Sequence, residues 1–466
     1  MDDYRVIADE IAASIADGRM RPGEQLPTQR AFARRHGIAG STASRVYREL
    51  VRRGLVVGEV GRGTFVRAGR GAPGTGVALA EPAGAPVDLE LNYPLVPEQS
   101  ALLATGLAPM LRADALDAAL RPVGAAGTAV AREAFAALAS GPGTGTGPGP
   151  DASDEGAACH GPAWRASADD MLFAANGRQA IAAALTALVS PGQRLGVEAL
   201  TYPVVKALAQ RLGITLVPLP TDESGLLPDA LAAVHRTTPL RALYLQPRMH
   251  NPLGATLAPE RRDALAAALH RLGLPVVEDA VWSFLRPGIP PLAALAPERT
   301  ILVDSLSKRV APGLTTGCAV VPAPFRASMT AALRSGGWTP SGFALEAAVR
   351  WIADGTVTTV EAAKRADATE RQQLARRVLA GQTLRSDPRS YYVWWELPPA
   401  WRAETFVAAA ARQGIAVTPA AAFAVDNRTT PSAVRVGLAS PPLPVLAGAL
   451  ETLAQMARST PEDLLD

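Results

Sequence analysis

The sequence predicts a small N-terminal domain of three helices and a β-hairpin, joined to a much larger α/β domain with a mostly parallel sheet. The chain has 466 residues, which is long for one ordinary domain and enough for two or three with full cores. Its composition, with 48% apolar and 19% charged residues, is typical of a globular protein. A stretch at 69–88 that is rich in Gly, Ala and Pro is typical of a linker. We therefore expect domains at 1–68 and 89–466.

The N-terminal domain is predicted from helical periodicity followed by two short apolar segments. Ile7, Ile11 and Ile15 recur every four residues in a helix expected over 4–17. The other predicted elements are a turn-rich connection at 18–27, helices at about 28–36 and 41–53, and strands in LVVGEV and TFVRA. Three helices followed by a β-hairpin are the elements of a winged helix-turn-helix.

Basic charge is concentrated in this N-terminal domain. The first 70 residues contain 13 arginines, no lysine and eight acidic residues, a net charge of +5, whereas the whole chain has a net charge of +3. On the helix at 41–53, Arg45, Arg48 and Arg52 line one face. Such an arginine stripe suits the DNA major groove, and the tip Gly61-Arg62-Gly63 suits the minor groove. The alternative, on these residues alone, is a surface helix with solvated arginines.

The segment LPTQRAFARRHGIAGSTASRVYRELVRRGLVVGEVGRGTFV resembles the winged helix of the GntR family. The matching positions are Leu26, Pro27, Arg30, Gly37, Thr42, Arg45, Tyr47, Leu50, Gly54, Leu55, Gly61, Gly63, Thr64, Phe65 and Val66. The resemblance implies a domain that binds double-stranded DNA, with Arg30, Arg45 and Arg62 as the first candidate contacts. Thr42 and Arg48 are the other candidate DNA-binding residues. At 39–40 an Ala-Gly pair replaces the usual Ser-Arg, which removes one expected DNA contact and a helix N-cap worth about 1 kcal/mol.

From about residue 165 the chain alternates short apolar segments with helical ones, which is the βαβ pattern of a parallel sheet covered on both faces. The candidate strands are MLFAAN, RLGVEA, ITLVPL, RALYLQ, PVVEDA, TILVDS and CAVVPA. Later the chain is mostly helical, with strands near YYVWWEL and AVRVGLA. We expect a large lobe at about 163–340, a smaller α+β lobe at about 341–466, and an exposed loop in the low-complexity stretch 140–162.

Polar or aromatic side chains follow five of the predicted strands, at the sheet edge where open α/β folds bind ligands. Asp279 suits a pyridinium nitrogen, the Asn251 amide suits a phenolate oxygen, and Tyr202 suits an aromatic ring. Lys308 supplies an amine for an aldehyde. The groups that suit a phosphate, at a helix start and beside it, belong to Gly177, Arg178, Gln179, Ser305 and Ser307. A single ligand with all these needs is pyridoxal phosphate.

Taken one at a time, these residues have plainer interpretations. Asp279, Ser305 and Ser307 could be helix caps, and Asn251 and Gly177 could be turn residues. Tyr202 could be a packing residue, and Lys308 could be a surface residue. If all of these plainer interpretations were true, the seven residues would have the order of a cofactor site only by coincidence. In addition, the chain has only three lysines, so any function that needs an amine must use Lys206, Lys308 or Lys364. Lys206 and Lys364 lie on polar helical stretches and are expected at the surface.

Residues 89–466 resemble the fold-type I pyridoxal-phosphate enzymes of the aspartate aminotransferase superfamily. HNPLG is similar to the family's HNPTG, VVED to its cofactor-anchoring strand end, and SLSKRVAPGL to its SFSK-x-x-APGL. The resemblance implies that Lys308 forms the internal aldimine, Asp279 pairs with the ring nitrogen and Asn251 bonds the ring hydroxyl. Tyr202 is expected to stack on the ring. AVRVGLA is similar to the segment whose arginine clamps a substrate α-carboxylate, so Arg435 is expected to bind the carboxylate of a substrate or effector.

Three positions depart from that family's pattern. Thr315 stands where an arginine usually pairs with the phosphate, and Arg309 is the candidate to compensate. Val281 and Trp282 stand in place of the usual tyrosine, and Leu253 replaces the threonine of HNPTG. These changes predict weaker anchoring of the phosphate and a less effective transaminase, without removing the lysine chemistry.

A GntR-like head on an aminotransferase-like domain resembles the MocR-type transcriptional regulators. The first hypothesis is a regulator that senses an amino compound, or pyridoxal phosphate itself. Ligand binding would change the position of its DNA-binding heads by way of the linker. The second is a working aminotransferase whose winged helix is secondary. The third is a DNA binder that has lost its cofactor, against which the retention of Lys308 argues. Because fold-type I sites usually form between two subunits, the resemblance also implies a homodimer.

Several other classes of protein are excluded or disfavoured. With Cys159 and Cys318 as the only cysteines, a disulfide framework is excluded and a cysteine metal cluster is disfavoured. The sequence has no uninterrupted apolar run of bilayer length, and its acidic N-terminus has no secretory signal. We therefore expect a cytoplasmic protein with no metal site and no membrane partner.

Overall fold

The structure is a computed structural model that describes residues 4–21, 23–59, 63–67, 85–141, 164–426 and 430–461. Arg62, most of the predicted 69–88 linker and nearly all of the predicted 140–162 loop lie outside these residues. Within them, no helix combines the length and the apolar character needed to cross a bilayer.

The N-terminal domain is the winged helix-turn-helix that the sequence predicts. Its elements are α1 Tyr4–Ala16, β1 Gln25–Leu26, α2 Gln29–His36, α3 Gly40–Arg52, β2 Val56–Glu59 and β3 Gly63–Val66. The connection at 18–27 differs from the prediction, because Gln25 and Leu26 pair with Phe65 and Thr64 as a third strand. A strand of two residues is too short to give a periodic pattern in the sequence.

The core of this domain fixes which face of α3 points outward. Val46, Tyr47 and Leu50 of α3 are buried beside Phe32 of α2. The Tyr47 hydroxyl donates a hydrogen bond to the carbonyl of Pro27, and burial raises the pKa of Tyr47 to about 12. Because residues three and four apart share a helix face, these contacts turn the arginine stripe away from the core.

The start of α3 lacks a side-chain cap, as the sequence predicts. Its N-cap residue Ala39 is exposed and makes no capping hydrogen bond, whereas Thr28 caps α2 by accepting from the Ala31 amide at 3.3 Å. We expect Ala39→Ser to stabilise the head by about 1 kcal/mol, since a serine oxygen would accept from a free N–H of the first turn. The measurement is amide hydrogen exchange in α3, which should slow. Ala39→Val, which adds bulk at the same position without an acceptor, is the control, and equal slowing there would contradict the cap.

The segment between the head and the large sheet forms one short strand and three helices. They are β4 Val87–Asp88, α4 Gln99–Leu107, α5 Ala113–Ala119 and α6 Ala129–Ser140. Apolar side chains of α4 and α6 pack in one cluster with residues of the large lobe. Residues 89–98, between β4 and α4, are described throughout and run past the functional site.

All seven strands predicted between residues 171 and 323 are present in one sheet. They are β5 Met171–Ala174, β6 Arg194–Glu198, β7 Thr215–Leu219, β10 Ala242–Leu245, β11 Val276–Asp279, β12 Thr300–Ser305 and β13 Gly317–Val320, with a small hairpin of β8 Thr221–Asp222 and β9 Gly225–Leu226. The sheet order is β5-β13-β12-β11-β10-β6-β7. β13 is antiparallel to both of its neighbours, and the other pairings are parallel. Parallel strands bring their carboxyl ends to one edge.

Helices of the large lobe connect these strands and are covered with alanine and leucine on their buried faces. They are α7 Gly177–Leu188, α8 Pro203–Arg211, α9 Pro228–Thr237, α10 Pro259–Leu272, α11 Leu306–Arg309 and α12 Ala323–Ser335. α7 packs centrally, against residues of the sheet and α12. Its first residue closely follows the end of β5, so the helix starts at the ligand-binding edge of the sheet.

The smaller lobe is α+β, as predicted. Its elements are α13 Gly342–Ala353, α14 Thr356–Val378, β14 Thr383–Arg385, β15 Tyr392–Glu396, α15 Ala403–Arg412, β16 Ile415–Ala416, β17 Thr418–Pro419, β18 Ala433–Gly437 and α16 Leu443–Arg458. Its sheet has the order β14-β15-β18-β17. β16 pairs in parallel with β4, so the chain that comes from the head is joined to this lobe before it enters the large one.

Candidate functional site and DNA-binding face

A cavity of about 350 Å³ lies at the carboxyl ends of the central strands, between the two lobes. Its lining includes most of the residues predicted from the strand ends, namely Gly177, Arg178, Tyr202, Asn251, Asp279, Ser305, Ser307, Lys308 and Arg435. Residues 90–93 and Phe423 close it from other sides. The structure thus brings together residues that are up to 345 positions apart in the sequence, from Glu90 to Arg435.

Lys308 lies in a setting that favours its neutral amine. Its Nζ donates to the Asn92 carbonyl at 2.5 Å and lies 4.9 Å and 5.2 Å from the ring centroids of Tyr93 and Trp282. Burial, together with nearby positive charges such as that of Arg178, lowers the pKa of Lys308 to about 7. A large share of this amine is therefore unprotonated near neutral pH, and the unprotonated amine is the form that attacks carbonyl groups.

Asp279 is a buried carboxylate whose hydrogen-bond partners are neutral. Its Oδ2 accepts from the Tyr244 hydroxyl at 2.6 Å and from the Gln246 amide at 3.0 Å, and its Oδ1 accepts from the Val281 amide at 3.1 Å. Burial nevertheless raises the pKa of Asp279 to about 6, because these bonds only partly replace the lost water. A protonated ring nitrogen at this position would stabilise the charged carboxylate.

Arg435 lies on β18 and extends into the cavity wall rather than into solvent. Its Nη1 donates to Asn251 Oδ1 at 3.0 Å, and its Nη2 donates to Thr418 Oγ1 at 3.2 Å and to the Glu90 carbonyl. Its Cζ lies 5.0 Å from the ring centroid of Phe423. Within the described residues its buried Nε has no partner. A planar guanidinium with donors directed along one edge is suited to a carboxylate.

The helix start at α7 forms the part of the cavity that suits a phosphate. Asn176 caps α7 by accepting from the Gln179 amide at 3.0 Å. A Cβ at Gly177 would lie only 2.9 Å from Ser305 Oγ, so glycine is needed for the helix start to approach the end of β12. Ser305 in turn caps α11 by accepting from the Ser307 amide at 3.3 Å. Two helix starts therefore meet here, with their N–H groups near the cavity.

Thr315 contributes a hydroxyl where the related enzymes usually carry an arginine. Its Oγ1 lies 2.7 Å from Ser307 Oγ, and both residues line the cavity. Arg178, the second residue of α7, is exposed and lines the same cavity. A charged donor is therefore available beside the helix start.

We expect Arg178→Ala to weaken the binding of pyridoxal phosphate about tenfold, the effect of losing one charge-assisted hydrogen bond. The measurement is an absorbance titration of wild type and variant with the cofactor. Arg194→Ala, an exposed arginine on β6 outside the cavity lining, is the matched control and should bind normally. Pyridoxal without its phosphate should bind both variants alike. An equal loss with pyridoxal would place the effect of Arg178 elsewhere than at the phosphate.

Two of the predicted cofactor contacts do not line the cavity, and the prediction that Arg309 compensates for Thr315 is corrected. Arg309 is buried, and its Nε and Nη2 donate to Asp304 Oδ2 at 3.1 Å and 2.6 Å while its Nη1 binds Glu361. Its guanidinium is thus committed to two carboxylates. Gln179 uses its backbone amide in the α7 cap, and its side-chain oxygen is buried away from the cavity lining.

The other two lysines are not surface residues, contrary to the prediction. Lys364 is fully buried, and its Nζ donates to the carbonyls of Lys308 at 2.9 Å and Val310 at 2.5 Å. Lys206 is half-buried, and its Nζ donates to three carbonyls of the turn at 420–424. Burial lowers the pKa of both amines to about 7. Their acceptors come from distant segments, which a local helical pattern cannot show.

The site also contains residues that sequence reasoning missed. They are Glu90, Asn92, Tyr93, Tyr244, Gln246, Thr418 and Phe423. Tyr244 and Gln246 lie at the end of β10, so the strand-end rule that found Asn251 could have found them. The segment 90–93 and Phe423 follow no strand of the large sheet, and the sequence carries no local signal for them.

Four of the five DNA-binding candidates lie in the described part of the head, and all four are at least partly exposed. Arg45 and Arg48 of α3 and Arg30 of α2 are exposed, and Thr42 is half-buried in the first turn of α3. Arg52 instead forms an ion pair with Glu49 at 2.5 Å, although its side chain remains exposed. Within the part of the chain that the structure describes, the predicted stripe therefore begins with two arginines that have no carboxylate partner and ends with a paired one.

Comparison with known proteins follows the same division of the chain. Residues 3–66 match the family model of bacterial regulatory proteins of the gntR family, and residues 128–453 match that of class I and II aminotransferases. The second match covers well over half of the chain. The chain belongs to the class I and II aminotransferase family. Its N-terminal domain is a GntR-family winged helix-turn-helix, the combination found in MocR-type regulators, and pyridoxal phosphate is the cofactor of the aminotransferase family.

Several relatives of this chain are named as transcriptional regulators. The uncharacterised HTH-type transcriptional regulator YdeF of Bacillus subtilis is 29% identical over 441 residues, which cover 94% of this chain and 90% of that protein. The HTH-type transcriptional regulator TauR of Rhodobacter capsulatus is 29% identical over 69% of this chain and 68% of its own. The pyridoxine biosynthesis regulator PdxR of Corynebacterium glutamicum is 36% identical over 36% of each chain.

Solved aminotransferase structures share the fold of the larger domain and confirm the predicted fold-type I architecture. An archaeal alanine:glyoxylate aminotransferase matches with a TM-score of 0.70 and 19% identity, covering 80% of this chain and 90% of that one. LysN, the α-aminoadipate aminotransferase of Thermus thermophilus, matches with a TM-score of 0.69 and 21% identity, covering 85% and 98%. The residues of this cavity fit the family's cofactor. Lys308 has a neutral amine for the aldehyde, Asp279 has a buried carboxylate for a cationic ring, and Gly177 lets the start of α7 lie close to Ser305.

Proposed function

We propose that this protein is a transcriptional regulator that binds double-stranded DNA through its head and senses an amino compound, or pyridoxal phosphate itself, in the cavity of its aminotransferase-like domain. The observation that carries the proposal is the presence in one chain of exposed arginines on α3 and a cavity that contains Lys308, Asp279 and Arg435. The regulator names of YdeF and TauR, which match over most of their length, support it.

On DNA, α3 would enter the major groove with Arg45 and Arg48 directed at phosphates and base edges. Thr42 in its first turn and Arg30 on α2 would contact the backbone beside it. The buried face of α3 carries Val46 and Leu50, so these arginines can reach DNA without disturbing the core. We further propose that two chains associate, which would let two heads read two half-sites.

In the cavity, each residue would have a distinct role towards the cofactor. Pyridoxal phosphate, when bound, supplies an aldehyde that condenses with amines and a ring that withdraws electrons. Asp279 would keep the ring nitrogen protonated, and Tyr202 would cover one face of the ring. The Asn251 oxygen accepts from Arg435, which leaves its N–H groups as the donors available to a phenolate. The phosphate would be held by Gly177, Arg178, Ser305, Ser307 and Thr315.

The proposed sensing step depends on Lys308 and Arg435. Lys308 would hold the cofactor through its amine and give way to the amine of an incoming compound. Arg435 would select compounds that also carry a carboxylate, because its buried donors otherwise bond to neutral oxygens of Asn251, Thr418 and the Glu90 backbone. An α-amino acid or a close relative is therefore the expected effector class. Such a ligand changes the DNA-binding state only to the extent that it binds one arrangement of the protein better.

The rate of cofactor attachment should depend on pH in a way set by Lys308. Because its pKa is lowered to about 7, the reactive amine is lost below that pH, and the rate should fall about tenfold per unit there. Above pH 7 the rate should level off. Stopped-flow absorbance measures this, with N-acetyl-lysine as the comparison, whose rate should keep rising to about pH 10. A profile like that of N-acetyl-lysine would contradict the lowered pKa.

The experiment that tests the proposal begins with selection of DNA sequences from a random duplex pool by the full-length protein. Affinity for the enriched duplex is then measured by fluorescence anisotropy, without cofactor, with pyridoxal phosphate, and with added amino acids. Arg45→Ala with Arg48→Ala should reduce affinity at least about tenfold and lower the salt slope by about 2. Arg52→Ala, on the same helix but paired with Glu49, is the control. No enriched sequence, or an affinity that ignores every ligand, would overturn the proposal.

A second candidate function is favoured by the same cavity, since Lys308, Asp279 and Arg435 are also the groups that transamination needs. In that case the protein would be an aminotransferase with a secondary winged helix. Repeated turnover of an amino acid and a keto acid, combined with DNA affinity that is indifferent to both, would favour the enzyme. A regulator would show ligand-dependent DNA binding with at most slow turnover.

A further inference from the structure

The winged helix is docked on the smaller lobe through the outer face of its β-hairpin. Val56 and Val66 pack into the core of the head, whereas Val57 and Phe65 face the other way and cluster with Ala421. Phe65 is fully buried. Both faces of the hairpin are thus buried. The face with Val57 and Phe65 is covered by the smaller lobe, and it would be exposed in a free winged helix.

Two further contacts fix this docking. The Cζ of Arg402 lies 3.6 Å from the ring centroid of Phe65, a close cation–π contact. A Cβ at Gly23 would lie 2.7 Å from Thr405 Oγ1, and Gly23 has a φ of +80°, so a glycine is required where the head meets the start of α15. In this docked arrangement Arg30, Arg45 and Arg48 remain exposed.

The docking surface belongs to the same short turn that forms one wall of the cavity. In the turn at 420–424, Ala421 touches the hairpin, and Phe423, two residues on, lies under Arg435 with 5.0 Å between the Cζ and the ring centroid. The turn is held to the large lobe by Lys206, whose Nζ donates to three of its carbonyls at 2.6–3.2 Å. The Thr201 amide also donates to the Phe423 carbonyl at 3.0 Å.

We propose that the turn at 420–424 couples the cavity to the DNA-binding head of the same chain, so that a ligand carboxylate bound by Arg435 displaces Phe423 and weakens the docking of the hairpin on Ala421. The inference rests on the proposed function and deepens it. Because the two contacts are two residues apart on one packed turn, a shift of Phe423 moves Ala421 as well. By linkage, undocking the hairpin should raise the affinity of the cavity for a carboxylate ligand by the same factor.

Hydrogen exchange of the full-length protein tests the docking without any ligand. Arg402→Ala removes the cation from the face of Phe65 and should speed amide exchange in β2 and β3 about fivefold. Arg412→Ala, an exposed arginine at the last residue of α15, whose N-cap is Arg402, is the matched control and should leave exchange unchanged. Exchange in Arg402→Ala that equals wild type would overturn the docking.

Two synthetic ligands test the coupling. N-(5′-phosphopyridoxyl)-glycine carries a carboxylate for Arg435, and pyridoxamine phosphate lacks it but keeps the ring and the phosphate. We expect both to bind, measured by calorimetry, and only the first to speed exchange in β2 and β3. Binding of both with equal exchange would overturn the coupling alone. Failure of both to bind would overturn the proposed cofactor site and the coupling together, while the Arg402→Ala result would still decide the docking.

Cross-linking tests whether the hairpin docks on its own chain. Cysteines introduced as Glu24→Cys and Thr405→Cys, at accessible positions beside the close approach of Gly23 to Thr405, with Cys159→Ser, are joined by a short bismaleimide, and Cys318 is buried. A product that runs as one cross-linked chain supports the proposal. A product of two linked chains would overturn it, because the hairpin would then dock on a second copy. The single variants, each with one introduced cysteine, control for links to other residues.

Discussion

Lys308→Ala is expected to abolish covalent attachment of pyridoxal phosphate. Mixed with the cofactor, the wild-type protein should develop the visible absorbance band of lysine-bound pyridoxal phosphate, and the variant should show only the spectrum of the free cofactor. The reason is that Lys308 lines the cavity, whereas Lys206 and Lys364 do not line it and their Nζ atoms bond to backbone carbonyls. The loss should therefore be complete.

The small number of lysines makes the assignment easy to check. Reduction with borohydride followed by peptide mass spectrometry should find the label on the peptide that contains Lys308. Lys206→Arg, which keeps a cation at the turn at 420–424, is the control and should retain the band. A label on Lys206 or Lys364, or a band that survives in Lys308→Ala, would contradict the site. The absence of any band in wild type would favour the third hypothesis, a DNA binder that has lost its cofactor.

Features that depend on neighbouring residues could be predicted from the sequence. The strands of the large sheet alternate with helices, and the carboxyl ends of parallel strands share one edge of the sheet. The sequence alone could therefore predict that Asn251, Asp279 and Lys308 line one cavity. The uncapped start of α3 could be predicted for the same reason, because a helix cap depends on one residue and its next turn.

Features that depend on distant partners could not be predicted. Glu90 and Asn92 contribute backbone carbonyls to Arg435 and Lys308, and a carbonyl carries no sequence signature. The burial of Lys364 depends on carbonyls 54 and 56 positions away. Phe65 matches the GntR pattern as a hairpin residue, yet its burial depends on Ala421 of another domain. In each case the position of the residue depends on a partner that its local sequence pattern does not show.

The Arg309 guanidinium stabilises the fold through its two carboxylate partners, Asp304 and Glu361. Arg309→Met should destabilise the protein by about 3–5 kcal/mol, because the buried Asp304 carboxylate would lose its paired cation and Glu361 would keep only its longer contact with Arg365 at 3.6 Å. The charges of these two carboxylates raise the pKa of Arg309 although burial opposes it, so the guanidinium is charged at every accessible pH. Chemical denaturation at neutral pH measures the loss. The loss should shrink in acid, where protonation removes the uncompensated charges.

A surface ion pair provides the matched control for this prediction. Arg326→Met breaks the pair between Arg326 and Asp170, whose side chains are 38% and 33% exposed, and should cost at most about 1 kcal/mol. If Arg309 were instead the phosphate ligand that the sequence suggested, Arg309→Met would weaken binding of pyridoxal phosphate much more than binding of pyridoxal and would leave stability nearly unchanged. We expect the structural role for Arg309, because its buried guanidinium is already neutralised by two carboxylates and does not reach the cavity. The exposed Arg178, which lines the cavity, is therefore the better candidate to bind the phosphate.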